Sequence, residues 1–401
     1  MANTLSIDQI GVLVQSIAEQ ATGRAVMAPK NTKDFVTVAQ TALLSGTEQV
    51  MNAMSQLLSR TIYARRNAYN AALNILVTDE QGYGNHVRKI NAIDTAFEED
   101  PHYTLVDGQS IDMYKIRKPK VLQTNFYGAQ AFIKSITIFE DQVNTALSGP
   151  DEFQRFLGLV LGNMQDQIEQ VMEEMARLTV ANFIAAKVEC DPTNVIDLLA
   201  LYNEETGLSL TAQSVKQPAN YGPFIQWVYG KMQVFSERLK ERNILRHVNI
   251  SGYPISRHTP GEDQRLILYS GETAMINAAA LPGIFHESDL KLPRRYEPVT
   301  YWQAPGDENE RREIYVAPSY LDISTGAVVS GSAKSYSNIF GVLYDRDAMG
   351  LTRVHQRTYR TPFNTTGEYS NVDHHFTCRW WNDLTENAYV FTIGPVYPHD
   401  R

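Results

Sequence analysis

The sequence predicts an α+β chain organised around one long helix. Three observations carry that reading. Residues 148–187 place apolar side chains at steps of three and four, the spacing of one helix face. The stretch just before them is β-rich and alternating, and the residues after Pro192 mix helical and strand patterns before closing on strands.

The helix has a sharp start. Ser148-Gly149-Pro150-Asp151 offers a capping hydroxyl, a proline tolerated in the first turn and an acid suited to a helix N-terminus. Its expected core positions are Phe153, Phe156, Leu157, Val160, Leu161, Met164, Ile168, Met172 and Met175, with Val171, Leu178 and Phe183 on the same stripe. Glu152, Arg155, Asp166, Glu169, Glu173, Glu174 and Arg177 fall on the opposite face, which should meet solvent. Such length suits a beam better than an active-site scaffold. Gly158 and Gly162 each weaken it by up to about 1 kcal/mol relative to Ala and mark places for a bend or close contact.

Upstream, residues 1–102 read as an arm and connecting segment. To about residue 75 the arm is helical and rich in Ala, Gln, Asn, Ser and Thr. Val36, Leu43, Leu44, Val50, Met54, Leu57, Leu58 and Ile62 are spaced too loosely for a core of its own, so its burial is expected on another subunit. A turn-rich passage with Gly82, Gly84 and Asp100-Pro101 follows. Residues 103–130 read as an extended hairpin with little apolar backing, where Lys115, Arg117, Lys118 and Lys120 cluster around Pro119. This cluster is expected to pair with acidic residues of a neighbouring protein.

Residues 131–192 comprise the strand Phe132 to Phe139 and the long helix. In 193–337, a helix is expected over Phe224 to Asn243, with strands at 248–250, 265–269, 296–303 and 313–317 and a helix over 270–280. Residues 338–401 return strands at 340–344, 376–381 and 389–393, with a polar turn region after the first.

Bulk composition narrows the function. The 401 residues are 43% apolar and 20% charged, as in an ordinary globular protein. A net charge of −9 argues against a general nucleic-acid binder. Only Cys190 and Cys378 are present, so neither a disulfide framework nor a cysteine zinc site is expected. The N-terminus lacks a secretory pattern and no apolar run reaches a membrane span, so no membrane association is expected.

Motifs for chemistry are weak. Gly82-Tyr83-Gly84-Asn85-His86-Val87 carries Val where a dinucleotide fingerprint needs its third glycine, and Gly230-Lys231 lacks the rest of a phosphate loop. Asp373-His374-His375 with Cys378 is the best metal candidate. Adjacent strand residues face opposite ways, however, so packing or interface histidines are the favoured reading. No catalytic residue, cofactor or metal ligand is assigned.

The order of elements resembles the major capsid proteins of tailed bacteriophages, the Hong Kong phage-type capsid fold, with small short-tailed phages the nearest match. The resemblance rests on Pro119-Lys120-Val121-Leu122-Gln123-Thr124-Asn125-Phe126-Tyr127, Ile136-Thr137-Ile138, Gly149-Pro150-Asp151-Glu152-Phe153, and Tyr359-Arg360-Thr361-Pro362-Phe363-Asn364 with Gly367-Glu368-Tyr369. It implies an N-terminal arm, an extended loop, a peripheral domain with a spine helix and an axial domain. By the same resemblance, subunits form hexamers and pentamers of an icosahedral shell around packaged double-stranded DNA, held without sequence-specific contacts. Portal, separate scaffolding and decoration proteins are the implied partners, the virion capsid the location and the bacterial cytoplasm the place of assembly. A nanocompartment shell of the same fold, or a metal-dependent enzyme using His374, His375 and Cys378, are the alternatives.

Overall fold

The computed structural model describes residues 7–26, 29, 32–44, 49–50, 73, 76, 87–95, 97–114, 116, 118–251, 253–270, 295–307 and 310–396. The chain begins with α1 (Ile7–Thr22) and α2 (Thr32–Leu44), continues through β1 (Val87–Ala92), β2 (Val121–Phe126) and β3 (Ala129–Phe139), and passes α3 (Glu140–Ala146) into α4 (Pro150–Cys190). Then come β4 (Val195–Asp197), α5 (Leu198–Thr206), α6 (Pro218–Lys240), β5 (Gln264–Tyr269), β6 (Arg295–Val299), β7 (Ile314–Val316), β8 (Ser319–Leu321), β9 (Val328–Ser330) and β10 (Lys334–Tyr336). The chain closes with β11 (Ile339–Asp345), β12 (Met349–Arg360), β13 (Tyr369–Asn382) and β14 (Ala388–Thr392).

Two sheets organise the molecule. One is antiparallel, three-stranded, in the order β12-β13-β3. The other has five strands in the order β4-β14-β11-β5-β6, with β4 and β6 parallel to their neighbours. Residues 383–387 join β13 of the first sheet to β14 of the second. The five-stranded sheet is buried on both faces. Leu266, Leu268, Phe340, Leu343, Tyr389 and Phe391 pack with α5 and α6, while Ile267, Val342, Tyr344 and Val390 face the core shared with α4. Continuous apolar runs such as Leu266–Tyr269 follow from that double burial.

The long helix spans 41 residues, about 60 Å at 1.5 Å per residue, unbroken through Gly158 and Gly162. Its N-cap is Gly149, not Ser148, whose hydroxyl donates to Thr145 O at 2.6 Å. Ile168, Met172 and Met175 are buried and Phe156 packs on the core as expected. The side chains of Phe153, Leu157, Val160, Leu161 and Met164 lie outside the described residues. Two assignments are reversed. Leu178 is 45% exposed, whereas Glu173 and Arg177 are buried as an ion pair at 2.6 Å, with the Arg177 guanidinium 3.7 Å over the Tyr301 ring. The segment carrying Tyr301 covers that face, so its charges must pair inside the protein.

The N-terminal helices are not loose. Val14, Ile17, Ala18 and Ala21 of α1 and Phe35, Ala39 and Ala42 of α2 are buried in the chain's own core, as is Val50. Leu44 is exposed, and Met54, Leu57, Leu58 and Ile62 lie outside the described residues. Other departures are local. The stretch read as a polar turn contains the twelve-residue β12, in which Leu351 and Val354 are buried among mostly polar neighbours. Helix α6 begins at Pro218 and carries Pro223 inside it. Residues 248–250 form only an isolated bridge, Ile250 to Tyr253. The helix expected over 270–280 lies outside the described residues.

Candidate inter-subunit surface

The extended hairpin is built differently from the sequence expectation. The described residues of 103–120 contribute no strand; β2 pairs antiparallel with β1 upstream, from Val87 opposite Phe126 to Ala92 opposite Val121. Ile93 N extends the pairing to Lys120 O at 3.0 Å, and the chain between is an excursion. Local turns shape it. Asp100 caps the turn Pro101–Thr104 by accepting from His102 N at 3.0 Å, and Gln109 N donates to Val106 O across Gly108, whose φ of +90° suits glycine. At the other end of the hairpin, Gly128 joins β2 to β3. A Cβ there would lie 2.7 Å from Trp380 O, so this close approach requires glycine.

The excursion presents apolar surface outward. Tyr103, Met113, Tyr114 and Ile116 are each at least 80% exposed, and Phe97, Val106 and Ile111 are exposed too. Side chains of that size belong in cores or contacts, and exposing them together is the mark of an interaction surface. Charge is divided along the excursion. Glu98, Glu99, Asp100, Asp107 and Asp112 lie on the outgoing limb, and Lys118 and Lys120 are exposed on the return. Lys115 and Arg117 lie outside the described residues. The cation cluster stands out in the sequence, whereas the exposed aromatic and aliphatic residues beside it do not.

The root of the hairpin is anchored to its own chain. Lys89 Nζ donates to Asp383 Oδ2 at 2.8 Å and to the Glu386 carboxylate. Arg257 Nη1 reaches Glu386 at 2.6 Å and its Nη2 reaches Thr385 Oγ1 at 3.2 Å. Burial dominates at Glu386 and pushes its carboxyl up to about 7, against the pull of Lys89 and Arg257. Farther along, Asp94 accepts from Arg242 at 2.7 Å and Ser256 N at 2.5 Å; the Ser256 hydrogen bonds hold its carboxyl below the usual range. No local pattern signals these partners, because they lie 128–297 residues apart.

The metal candidates do not converge. On β13, His374 and Cys378 are buried and His375 faces the other way, exposed. His374 Nδ1 is 3.0 Å from Thr358 Oγ1, and Cys378 Sγ sits 3.0 Å from Met172 Sδ against the long helix. Among the described residues no three His, Cys, Asp or Glu side chains are grouped to hold a metal ion. Gly230-Lys231 lies within α6, and Val87 opens a strand rather than the helix of a nucleotide site. Among the described residues no helix is long and apolar enough to cross a membrane.

Comparison with known proteins agrees with this architecture. No curated protein matches the sequence. Among solved structures, a chain from the capsid structure of Staphylococcus phage Andhra superposes with a TM-score of 0.55 at 9% identity, covering 82% of this chain and 86% of that one. A chain from the structure of the head fiber and inner core protein of native bacteriophage P68 gives a TM-score of 0.51, also at 9% identity, covering 82% and 87%. At such identity these share the fold, the Hong Kong phage-type capsid fold expected above. The model of the Phi29-like phage major capsid protein family matches residues 14–392. The chain therefore belongs to the Phi29-like phage major capsid protein family, a structural shell protein of the tailed-phage virion.

Proposed function

We propose that this chain assembles with copies of itself, as hexamers and pentamers, into an icosahedral head enclosing packaged double-stranded DNA. The observation that carries this reading is the outward run of Tyr103, Met113, Tyr114 and Ile116 on a segment with no core of its own. Ordering that segment costs conformational entropy, which burial against a neighbour would offset. Lys115, Arg117, Lys118 and Lys120 would then steer and register the contact by charge.

In this reading residues 131–192 form the peripheral domain, 193–337 the axial domain and 338–401 the strands returning to both. Residues 87–128 form the extended loop, following the pairing of β1 with β2. The long helix carries shape and not chemistry, and the protein has no catalytic role. A net charge of −9 suits a lining that holds DNA without binding its sequence. Assembly takes place in the bacterial cytoplasm with a separate scaffolding protein, a portal and decoration proteins.

Electron microscopy of the chain co-expressed with its gene neighbours tests this. Closed shells are expected. A chain that stays monomeric under every assembly condition, scaffold included, overturns the reading, and shells filled with a cargo enzyme in place of DNA would make it a nanocompartment.

A further inference from the structure

The hairpin root meets the rest of the chain at an unusual place. Residues 383–387 are the turn that carries the chain from the three-stranded sheet to the five-stranded one. That turn is internally rigid. Asp383 Oδ1 accepts from Thr385 N at 2.9 Å and Thr385 Oγ1 at 2.6 Å, and Asn387 Oδ1 lies 2.8 Å from His247 Nδ1. Asp383 and Glu386 are almost wholly buried, yet both carboxylates turn toward Lys89, which protrudes from β1. Arg257 Nη1 donates to the same Glu386 oxygen, Oε1, as Lys89 does. Asp345, which Thr259 Oγ1 contacts at 2.7 Å, adds a further carboxyl near Lys89.

We propose that Lys89 is a positioning residue that locks the direction of the extended loop to the joint between the two sheets, through Asp383 and Glu386. This inference rests on the loop being the inter-subunit contact proposed above. A buried ion network contributes little net stability, because desolvation offsets its attraction, but breaking it leaves buried charge uncompensated. It therefore favours one geometry strongly over its alternatives. The backbone pairing of β1 with β2 makes the hairpin; Lys89 aims it. An excursion of 26 residues, from 94 to 119, magnifies any swing at its root, so the aim decides where Tyr103 and Tyr114 land.

Electron–electron double resonance distances on the unassembled full chain, taken at pH 8 where Glu386 is ionised, test the lock. Spin labels sit at Gln123 on the outer side of β2 and at Glu204 on α5, with half-buried Cys190 replaced by Ala. The native residue should give one narrow distance distribution, Lys89→Gln should at least double its width, and Lys89→Arg should keep it narrow. Arg257→Gln removes another partner of Glu386 without touching the loop and should leave the width unchanged. An unaltered width in Lys89→Gln overturns the proposal. So does equal broadening in Arg257→Gln, which would make Lys89 only one support of the turn. Because shells are not needed, failure to assemble sinks the proposed function and not the lock.

Discussion

The extended loop and the long helix use the same kinds of side chain to opposite ends. On α4, Ile168, Met172, Met175, Phe183 and Ile184 are buried beneath sheets and loops of their own chain. On the loop, Tyr103, Met113, Tyr114 and Ile116 stand almost fully exposed. The helix commits its apolar surface to folding the subunit; the loop leaves its own exposed, available for the proposed contact with a neighbouring subunit. Polar groups follow the same division. Glu173 and Arg177 are satisfied inside the chain at 2.6 Å, whereas Lys118 and Lys120 point outward.

That contrast is broken most strongly at the helix. Phe183→Ala removes a fully buried ring and should cost about 3–5 kcal/mol of folding stability, read as a lower melting temperature of the unassembled chain. The loop should respond in the opposite observable. Tyr114→Ser should leave that melting temperature within experimental scatter while weakening each assembled contact by about 1.5–3 kcal/mol, measured as a higher concentration threshold for shells. A subunit that melts earlier but assembles normally would erase the distinction.

The anchor between the two regions has its own pH signature. Glu386 holds its proton up to about 7 in the folded chain, whereas an unfolded Glu releases it near 4.5. Its contribution to stability is therefore complete below about 4.5 and lost as pH rises through 7. Glu386→Gln mimics the protonated form, so its melting temperature should gain on the native chain's between about pH 5 and pH 8. Parallel melting curves across that range would contradict the burial argument. Smallest of all, replacing Lys115, Arg117, Lys118 and Lys120 by Ser should destabilise shells by up to about 1 kcal/mol per pair, more at low salt than at high. Shell melting unchanged at both salt concentrations would remove the cations from the contact.

Elements with strong local pattern are legible in the sequence itself. The long helix, the alternating strand at Ala129–Phe139 and the apolar strands β5, β11 and β14 all announce themselves by periodicity or continuous burial. The N-terminal helices look loose in sequence because they bury small residues. Ala18, Ala21, Ala39 and Ala42 complete stripes that a search for large apolar side chains overlooks. Strand β12 is hidden by its mostly polar pattern, and β1 by a partner some thirty residues downstream. In α5 the signal is present: Asp197 caps by accepting from Leu199 N at 3.0 Å, and Gly207 ends the helix at φ +69°. The loop's place is legible from its missing apolar backing, but its anchor is not. Lys89, Asp383 and Glu386 become neighbours only through the fold.

In the proposed shell a neighbouring subunit covers the loop's apolar surface. Hydroxyl-radical footprinting of Tyr103, Met113 and Tyr114, before and after assembly, tests it most directly. All three should oxidise at least tenfold more slowly in shells, with the exposed Leu44 of α2 serving as an internal comparison. Equal oxidation rates of the loop residues in unassembled chain and shell would contradict it.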